Sequence, residues 1–324
     1  SAQRLAGTKT YWAAVGSAIA HVNVGLLVFA FLFQFFGVVV KSWRWRLLLT
    51  PVKPGIPVHS CFKYFNIGFA TTSLLPGRVG EVLRPYLMAR EQEIKFTSTF
   101  ATIVTERVID LVTVLLMFST IFIFPSALGP NPDDPNVGLL KTAGLVTLAV
   151  TAVAIAFLVL IKVRTDWAEG MVRFFGKPLP EKITDGVIKL VRAFADGVGG
   201  LKGARQIGGL VLSSVVGWGG GIVFFWLAFQ AFGLEAPWYH FIFLQAAAAL
   251  GVTIPTPAGS GGFHGALILV AAGLWGLNEG VVQATALVTH LLIFGSMTLI
   301  GVFYLITGGI NIFKTAEKAG ERME

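Results

Sequence analysis

The sequence predicts an all-α, multi-pass membrane protein, and three observations support this fold class. Of 324 residues, 55% are hydrophobic and 13% are charged, whereas a soluble domain carries about 25% charged residues. The apolar residues form stretches of about 20, the length at which a helix crosses a bilayer. Lys and Arg collect in some connections between these stretches and are missing from others. The net charge of +8 is therefore interpreted as membrane topology, and no nucleic-acid partner is expected.

Five apolar stretches are long enough to be full crossings, because a spanning helix needs about 20 predominantly apolar residues. They cover residues 19–40, 97–124, 138–163, 206–233 and 281–308.

Two further apolar regions, 60–90 and 241–276, are interrupted by proline and glycine. The breaks fall at Leu75-Pro76-Gly77 and between Ile254 and Gly262, so we expect each half to be too short to span. Irregular backbone survives at membrane depth only where protein or water satisfies it. Both regions are therefore predicted to be re-entrant pairs of half-helices, and a single kinked crossing in each place is the alternative.

Basic residues predict the orientation of these segments. Connections 41–63 and 162–205 and the C-terminal tail are rich in Lys and Arg, which places them and the C terminus in the cytoplasm. Connections 125–137, 234–240 and 277–280 carry acidic side chains and no Lys or Arg, so they are predicted to lie outside. The sides alternate consistently when both broken regions are re-entrant.

This layout contains an inverted repeat within one integral membrane domain, 1–324. Repeat one is predicted over about 19–124 and repeat two over about 206–308, joined by the linker helix 138–163 and an amphipathic cytoplasmic segment, 164–205. Inverted repeats with broken helices are typical of secondary transporters, which bind substrate where the breaks meet. Transport is therefore the leading functional class.

Six charged side chains lie within or beside the apolar segments of repeat one, where a charge costs roughly 2.5–3.5 kcal/mol to insert. They are Arg78, Glu81, Arg84, Glu106, Arg107 and Asp110. Guanidinium groups near a helix N-terminus suit phosphate, so we predict a site for an anionic headgroup, with the carboxylates orienting the arginines. The alternative is that the six groups neutralise one another and fix the first broken region against its neighbouring helix.

The second break has no arginine or carboxylate, but it is rich in glycine, which lets backbone approach a ligand closely. We predict substrate contacts at Gly259, Ser260, Gly261 and His264. The alternatives are a tight turn between half-helices, and a histidine that is satisfied by a neighbouring group.

Metal and cofactor chemistry have no support in the sequence. Cys61 is the single cysteine, and the five histidines form no ligand motif, so we expect no metal site and no cofactor. We predict no catalytic residues. Because the sequence begins with Ser1 rather than methionine, we expect a cut, processed or tagged start, which leaves room for an upstream membrane helix.

Residues 164–205 combine basic residues with apolar residues at helical spacing. The pattern predicts amphipathic helices that bind anionic lipid at the cytoplasmic surface. Packing against the transmembrane helices is an equally good interpretation of the same apolar faces.

Four motifs resemble those of one known family. They are Arg44-Trp45-Arg46-Leu47-Leu48-Leu49, the stretch from Leu75 to Pro85 (Pro-Gly-Arg-x-Gly-Glu-x-x-Arg), Glu106-Arg107-Val108-Ile109-Asp110, and the stretch from Pro257 to Gly262. Together they resemble the lysylphosphatidylglycerol synthase transmembrane-region family, also called the flippase-like family. The resemblance covers most of the chain.

The resemblance implies a stand-alone lipid transporter in a prokaryotic cytoplasmic membrane, without the soluble aminoacyltransferase domain of the two-part members. Its substrate would be an anionic or phosphate-bearing lipid: a phospholipid, a glycolipid or a polyprenyl-linked lipid. A homodimer or a lipid-synthase partner is consistent with such a role. Two alternatives stay open at this point: a lipid-binding scaffold for a synthase, and a membrane enzyme that modifies headgroups with Glu106 and Asp110 as acid and base.

Overall fold

The computed structural model describes residues 12–75, 79–129, 135–178, 180–199, 204–254 and 256–310. Throughout these ranges the chain consists of helices, turns and loops, without a β-strand. The predicted all-α class is confirmed.

The described ranges contain thirteen helices, α1 to α13 in chain order, and α1 covers residues 12–20. The others are α2 (Val24–Leu49), α3 (Val58–Leu74), α4 (Gly80–Glu91), α5 (Phe96–Phe118), α6 (Pro135–Val163), α7 (Thr165–Phe175), α8 (Glu181–Gly199), α9 (Ala204–Ala231), α10 (His240–Gly251), α11 (Ser260–Leu267), α12 (Glu279–His290) and α13 (Ser296–Thr307). A π-helical stretch, Ile268–Leu274, extends α11, and another, Leu291–Gly295, joins α12 to α13.

Five helical stretches in the described ranges are long and apolar enough to cross a membrane, and this number agrees with the prediction. They are Val24–Leu49, Gly144–Ile161, Ala204–Ala231, Pro257–Leu274 and Glu279–Thr307. Four overlap predicted crossings, although Val24–Leu49 extends nine residues beyond the predicted end at residue 40. The expectation that both halves of the second broken region are too short is wrong for its second half, because the π-helical turns carry α11 on to Leu274.

The predicted crossing at 97–124 is a shorter helix, α5, which ends at Phe118 and is followed by a 3-10 turn, Ser119–Phe122. With 23 residues α5 is long enough to span a bilayer. Its middle carries Glu106, Arg107 and Asp110, so it is not among the five helices that qualify by apolar composition.

The first broken region is a helical hairpin rather than one kinked helix. Helix α3 ends at Leu74, and α4 begins at Gly80 and packs back along it. The two backbones touch at glycine, because a Cβ atom on Gly80 would overlap the carbonyl oxygen of Gly68. Close backbone approach at small residues is typical of helix packing in membranes.

The second broken region forms a hairpin of the same kind from α10 and α11. Here a Cβ atom on Gly251 would overlap the carbonyl oxygen of Gly262, and a Cβ atom on Gly262 would overlap the carbonyl oxygen of Gly251. The chain reverses through Ala258 and Gly259, which have φ angles of 51° and 69°. Both broken regions therefore fold back on themselves through one glycine pair.

The helices belong to two compact units, each with its own core. One unit contains residues 1–37, 114–148 and 217–296, and its core is rich in phenylalanine, including Phe224, Phe229 and Phe241. The other contains residues 38–113, 149–216 and 297–324. The second core is built around side chains such as Trp45 and Leu83 and includes the α3–α4 hairpin.

The open end of the α3–α4 hairpin is closed by polar contacts. Lys63 forms an ion pair with Glu91, and Tyr64 donates a hydrogen bond of 2.6 Å to the same carboxylate. Burial alone would raise the pKa of Glu91, but these hydrogen bonds outweigh burial and lower the pKa to about 2. Lys53 also donates to the carbonyl oxygen of Gln92, at 2.7 Å, which ties the two connections together.

Candidate functional site

Glu106 is the centre of a charged cluster in the unit that contains the α3–α4 hairpin. Its side chain is 0% exposed, and Arg84 from α4 donates to both of its oxygens, at 3.0 and 2.9 Å. Arg107 donates to the same carboxylate at 2.6 Å. A buried carboxylate needs such partners, because without them the desolvation of its charge would be strongly unfavourable.

Asp110 lies one helical turn after Glu106, so both carboxylates lie on one face of α5. Arg44 from α2 donates to Asp110 at 2.6 Å and to the hydroxyl of Ser214 on α9 at 3.2 Å. The side chain of Arg44 is 1% exposed. This arginine therefore connects α2, α5 and α9 inside the unit.

Two aromatic rings contact the guanidinium group of Arg84. Its guanidinium lies 3.9 Å from the ring centre of Trp45 and 4.6 Å from that of Phe65. The indole of Trp45 donates to Thr102 at 3.0 Å, which fixes the ring in turn. Cation–π contacts of this kind strengthen when the cation is desolvated, so Arg84 is fixed towards Glu106.

Arg107 differs from the other two arginines of the cluster in its exposure. Its side chain is 49% exposed, whereas those of Arg44 and Arg84 are 1% and 6% exposed. Its second carboxylate contact, to Asp110, is long at 3.8 Å. Arg107 therefore keeps N–H donors that can point at a ligand while Glu106 holds its position.

Two further charged groups lie close to this cluster. Lys41 on α2 is near enough to Asp110, and Glu81 on α4 near enough to Arg107, for electrostatic interaction. The described cluster thus combines the three arginines Arg44, Arg84 and Arg107 with three carboxylates, and the ammonium group of Lys41 lies beside it. The exposed guanidinium of Arg107 suits an anionic ligand.

The structure brings together most of the charged residues that the sequence predicted as a site. Arg84, Glu106, Arg107 and Asp110 are in direct contact, and Glu81 lies nearby. Arg78 lies outside the described residues. The geometry around Arg84 agrees with the alternative of internal neutralisation, because both of its terminal nitrogens bind Glu106.

Sequence reasoning missed Arg44 as a member of the cluster, because it assigned 41–63 to a cytoplasmic connection. In the structure α2 continues to Leu49, with Arg44 and Trp45 both buried. Arg44 and Trp45 can be buried because Asp110 and Thr102 on α5 accept hydrogen bonds from them, and both partners are distant in sequence. The sequence signal that could have indicated a role for Arg44 is the Arg44-Trp45-Arg46 motif.

The residues predicted at the second break are brought together in the other unit, where Ser260 and Gly261 bond to preceding residues of the same turn. Ser260 donates to the carbonyl oxygen of Pro257 at 2.9 Å, and the Gly261 amide donates to the hydroxyl of Thr256 at 3.1 Å. Gly259 is buried and lies at the turn itself. This arrangement agrees with the alternative of a tight turn between helices.

His264 packs against a second histidine, His290 of α12, with 5.1 Å between ring centres. His290 donates from Nε2 to the carbonyl oxygen of Ala258 at 3.1 Å, and its ring stacks on Phe294. His290 therefore anchors the left-handed turn at Ala258. Across the described ranges, no three His, Cys, Asp or Glu side chains are grouped as a metal ion requires.

Fold and site together define a class: multi-pass helical membrane proteins with an ionised cluster among their helices. Comparison with known families is more specific. The model of the lysylphosphatidylglycerol synthase TM region matches residues 4–301, and the chain belongs to this family. A curated relative is UPF0104 membrane protein MJ1595 of Methanocaldococcus jannaschii, 26% identical over 107 residues. That match covers 32% of this chain and 31% of the relative. The family indicates a membrane protein of lipid metabolism or transport.

Proposed function

We propose that this protein is a lipid flippase, which moves an anionic or phosphate-bearing lipid between membrane leaflets by alternating access. The lipid headgroup would bind at the charged cluster, and its chains would stay in the bilayer. The class of substrate comprises phospholipids, glycolipids and polyprenyl-linked lipids. The lipid gradient or an ion gradient would drive the movement.

The observation that carries this proposal is the contrast between Arg107 and Arg84. Arg84 is held by Glu106 and two aromatic rings, whereas half of the Arg107 side chain is exposed. Guanidinium binds phosphate oxygens through paired donors. Arg107 would therefore receive the headgroup, with Glu106 and Asp110 setting its orientation.

The two glycine-paired hairpins support the transport mechanism. Gly68 meets Gly80 in one broken region, and Gly251 meets Gly262 in the other, so the same packing device occurs in each predicted repeat. In our proposal both hairpins re-enter the membrane, from opposite sides. Movement of one repeat against the other then opens the binding site first to one side of the membrane and then to the other.

Headgroup chemistry is the less favoured function on geometric grounds. A general acid or base must lie within hydrogen-bond reach of the reacting group. Glu106 is 0% exposed and both of its oxygens bind Arg84, and Asp110 accepts a hydrogen bond from Arg44. We therefore propose transport rather than catalysis.

The test is lipid translocation in proteoliposomes that contain the purified protein and a fluorescent anionic phospholipid. We expect Arg107→Ala to lower the protein-dependent rate at least about tenfold, since a charge-assisted contact contributes about 1.5–3 kcal/mol. Arg107→Lys should keep part of the rate. The matched control is Arg192→Ala, which removes an exposed arginine that pairs with Glu169 far from the cluster in sequence.

Three outcomes would contradict the proposal. An unchanged rate with Arg107→Ala removes the role of this arginine. A wild-type protein that binds the headgroup without moving it indicates a scaffold, and a covalently altered lipid indicates an enzyme. Thermal unfolding of each variant shows whether the fold is intact.

A further inference from the structure

Helices α7 and α8 form a second kind of hairpin, which the transport site does not use. They pack on each other, and Ala168, Val191 and Phe194 join a small buried core with Ile161. On one side of the hairpin, Arg192 donates to both oxygens of Glu169, at 2.7 and 2.8 Å. This ion pair is partly exposed and links the two helices through polar atoms.

Each helix of this hairpin also carries an exposed apolar stripe with the spacing i, i+4, i+7. The stripe residues are Trp167, Met171 and Phe174 on α7 and Ile183, Val187 and Leu190 on α8. Their exposed fractions range from 38% to 67%, although all six are large hydrophobic residues. Side chains at this spacing share one helix face. On α8 the same face continues to Phe194, four residues after Leu190, which is buried, so the exposed part of that stripe ends at Leu190.

The polar and apolar sides of the hairpin are distinct. Glu169 follows Trp167 by two residues, which places it about 200° around the helix, away from the stripe. Arg192 follows Leu190 by the same interval. The hairpin is thus amphipathic even though its inner face is already packed.

Cations border the apolar stripe on α7. The guanidinium of Arg164 lies 5.9 Å from the ring centre of Trp167, and the ammonium of Lys177 lies 5.2 Å from that of Phe174. Both cations are exposed. Across residues 162–205 the sequence has nine Lys or Arg and five Asp or Glu. The segment that carries the exposed apolar surface therefore has a net positive charge, and two of its cations lie beside the α7 stripe.

The position of the hairpin in the chain puts it close to a bilayer surface. Helix α7 begins at Thr165, two residues after α6 ends, and the Gly144–Ile161 stretch of α6 is long and apolar enough to cross a membrane. Two residues span at most about 7 Å. An apolar face with basic residues beside it, held at that distance from a membrane crossing, has the properties of an interfacial helix.

We propose that the exposed face of the α7–α8 hairpin lies in the boundary between headgroups and acyl chains of a leaflet that contains anionic lipid. Trp167, Met171 and Phe174 enter this boundary together with the α8 stripe. Arg164 and Lys177 bind the phosphate groups of anionic headgroups. This surface is separate from the charged cluster, and the proposal does not depend on transport.

The test measures the depth of single spin labels on the full-length protein, reconstituted in vesicles. Cys61→Ala removes the buried native thiol, and a label is placed through Phe174→Cys on the stripe or Arg173→Cys beside it, on the polar side. In vesicles of phosphatidylglycerol and phosphatidylcholine, we expect the label at 174 to be accessible to oxygen and protected from a water-soluble nickel complex. The label at 173 should be accessible to nickel.

Charge dependence is tested with Lys177→Gln and with vesicles of phosphatidylcholine alone. Each cation near an anionic surface contributes about a fivefold factor in binding, so Lys177→Gln should lower the equilibrium constant for insertion about fivefold. Asp185→Asn, on the polar side of α8, is the control and should not lower it.

Each remaining outcome overturns the proposal. Equal nickel access at 174 and 173 shows that the face does not enter the bilayer. Protection of 174 from both oxygen and nickel shows that protein, such as a second copy of the chain, covers the face. Equal insertion in both kinds of vesicle shows that anionic lipid is not selected.

Discussion

Glu106 accepts hydrogen bonds from two arginines, which differ in their burial and in the number of carboxylate oxygens they bind. Arg84 contributes a two-oxygen contact inside the unit and is buried, while Arg107 contributes one contact and stays half exposed. Breaking a buried ion pair by removing one partner leaves an uncompensated charge, whereas replacing both partners by apolar groups is often neutral. Arg84 and Glu106 should therefore behave as a structural pair.

We expect Arg84→Met alone to lower the free energy of unfolding by about 3–5 kcal/mol, because Glu106 is left with one partner. The double variant Arg84→Met/Glu106→Met should recover at least about 2 kcal/mol of this loss, since no buried charge remains unpaired. Unfolding in detergent, followed by thermal or denaturant titration, measures both. Purely additive losses would show that the two side chains do not act as a pair.

At the scale of elements, glycine decides how the hairpins pack. A Cβ atom at Gly80 would overlap the carbonyl oxygen of Gly68 as well as the hydroxyl groups of Thr71 and Thr72, so the neighbouring helix would have to move. Gly251 meets backbone in the second hairpin in the same way. Gly208 on α9 has no heavy atom within 4 Å of the corresponding position.

Gly80→Ala and Gly251→Ala should each destabilise the protein by about 3 kcal/mol, the upper part of the range for overpacking. Gly208→Ala is the matched control and should be neutral or stabilising by about 0.5–1 kcal/mol, because alanine is the better helix former. Unfolding measurements on the three single variants compare them directly. An alanine at 80 or 251 that is as harmless as the one at 208 would disprove the backbone contact.

Hydropathy predicted most elements because the apolar runs that enter a membrane are local properties of the chain. It placed α6 and α9 within a few residues of their observed bounds, and the Pro-Gly signals located both hairpin breaks. It could not predict that α2 continues to Leu49 or that Arg84 binds Glu106. Both depend on partners contributed by α5, and a one-dimensional pattern does not show which helices will touch.

At the scale of the whole molecule, the charge distribution predicts which connections share a side of the membrane. The first hairpin should enter and leave on the cytoplasmic side, consistent with the hydrogen bond that joins Lys53 to Gln92. Connections 234–240 and 277–280 carry no basic residue and should share the outer side.

Single cysteines in a Cys61→Ala background test this layout in intact cells. We expect a membrane-impermeant maleimide added outside to label Glu235→Cys and Glu279→Cys, and to label Lys53→Cys and Lys95→Cys only after the membrane is opened. Lys53 and Lys95 on opposite sides would show that the first broken region crosses the membrane, and reversed labelling of all four would invert the predicted orientation.

The contact between Gly68 and Gly80 also limits how the first hairpin can move. Because backbone lies against backbone, sliding or rotation of α3 along α4 would cause a collision at this contact, so we expect the two helices to move as one rigid body. Any movement of this hairpin would then change backbone angles in the connections at its ends. One of these is the short turn after Glu91, where Glu93 already has a φ of 53°.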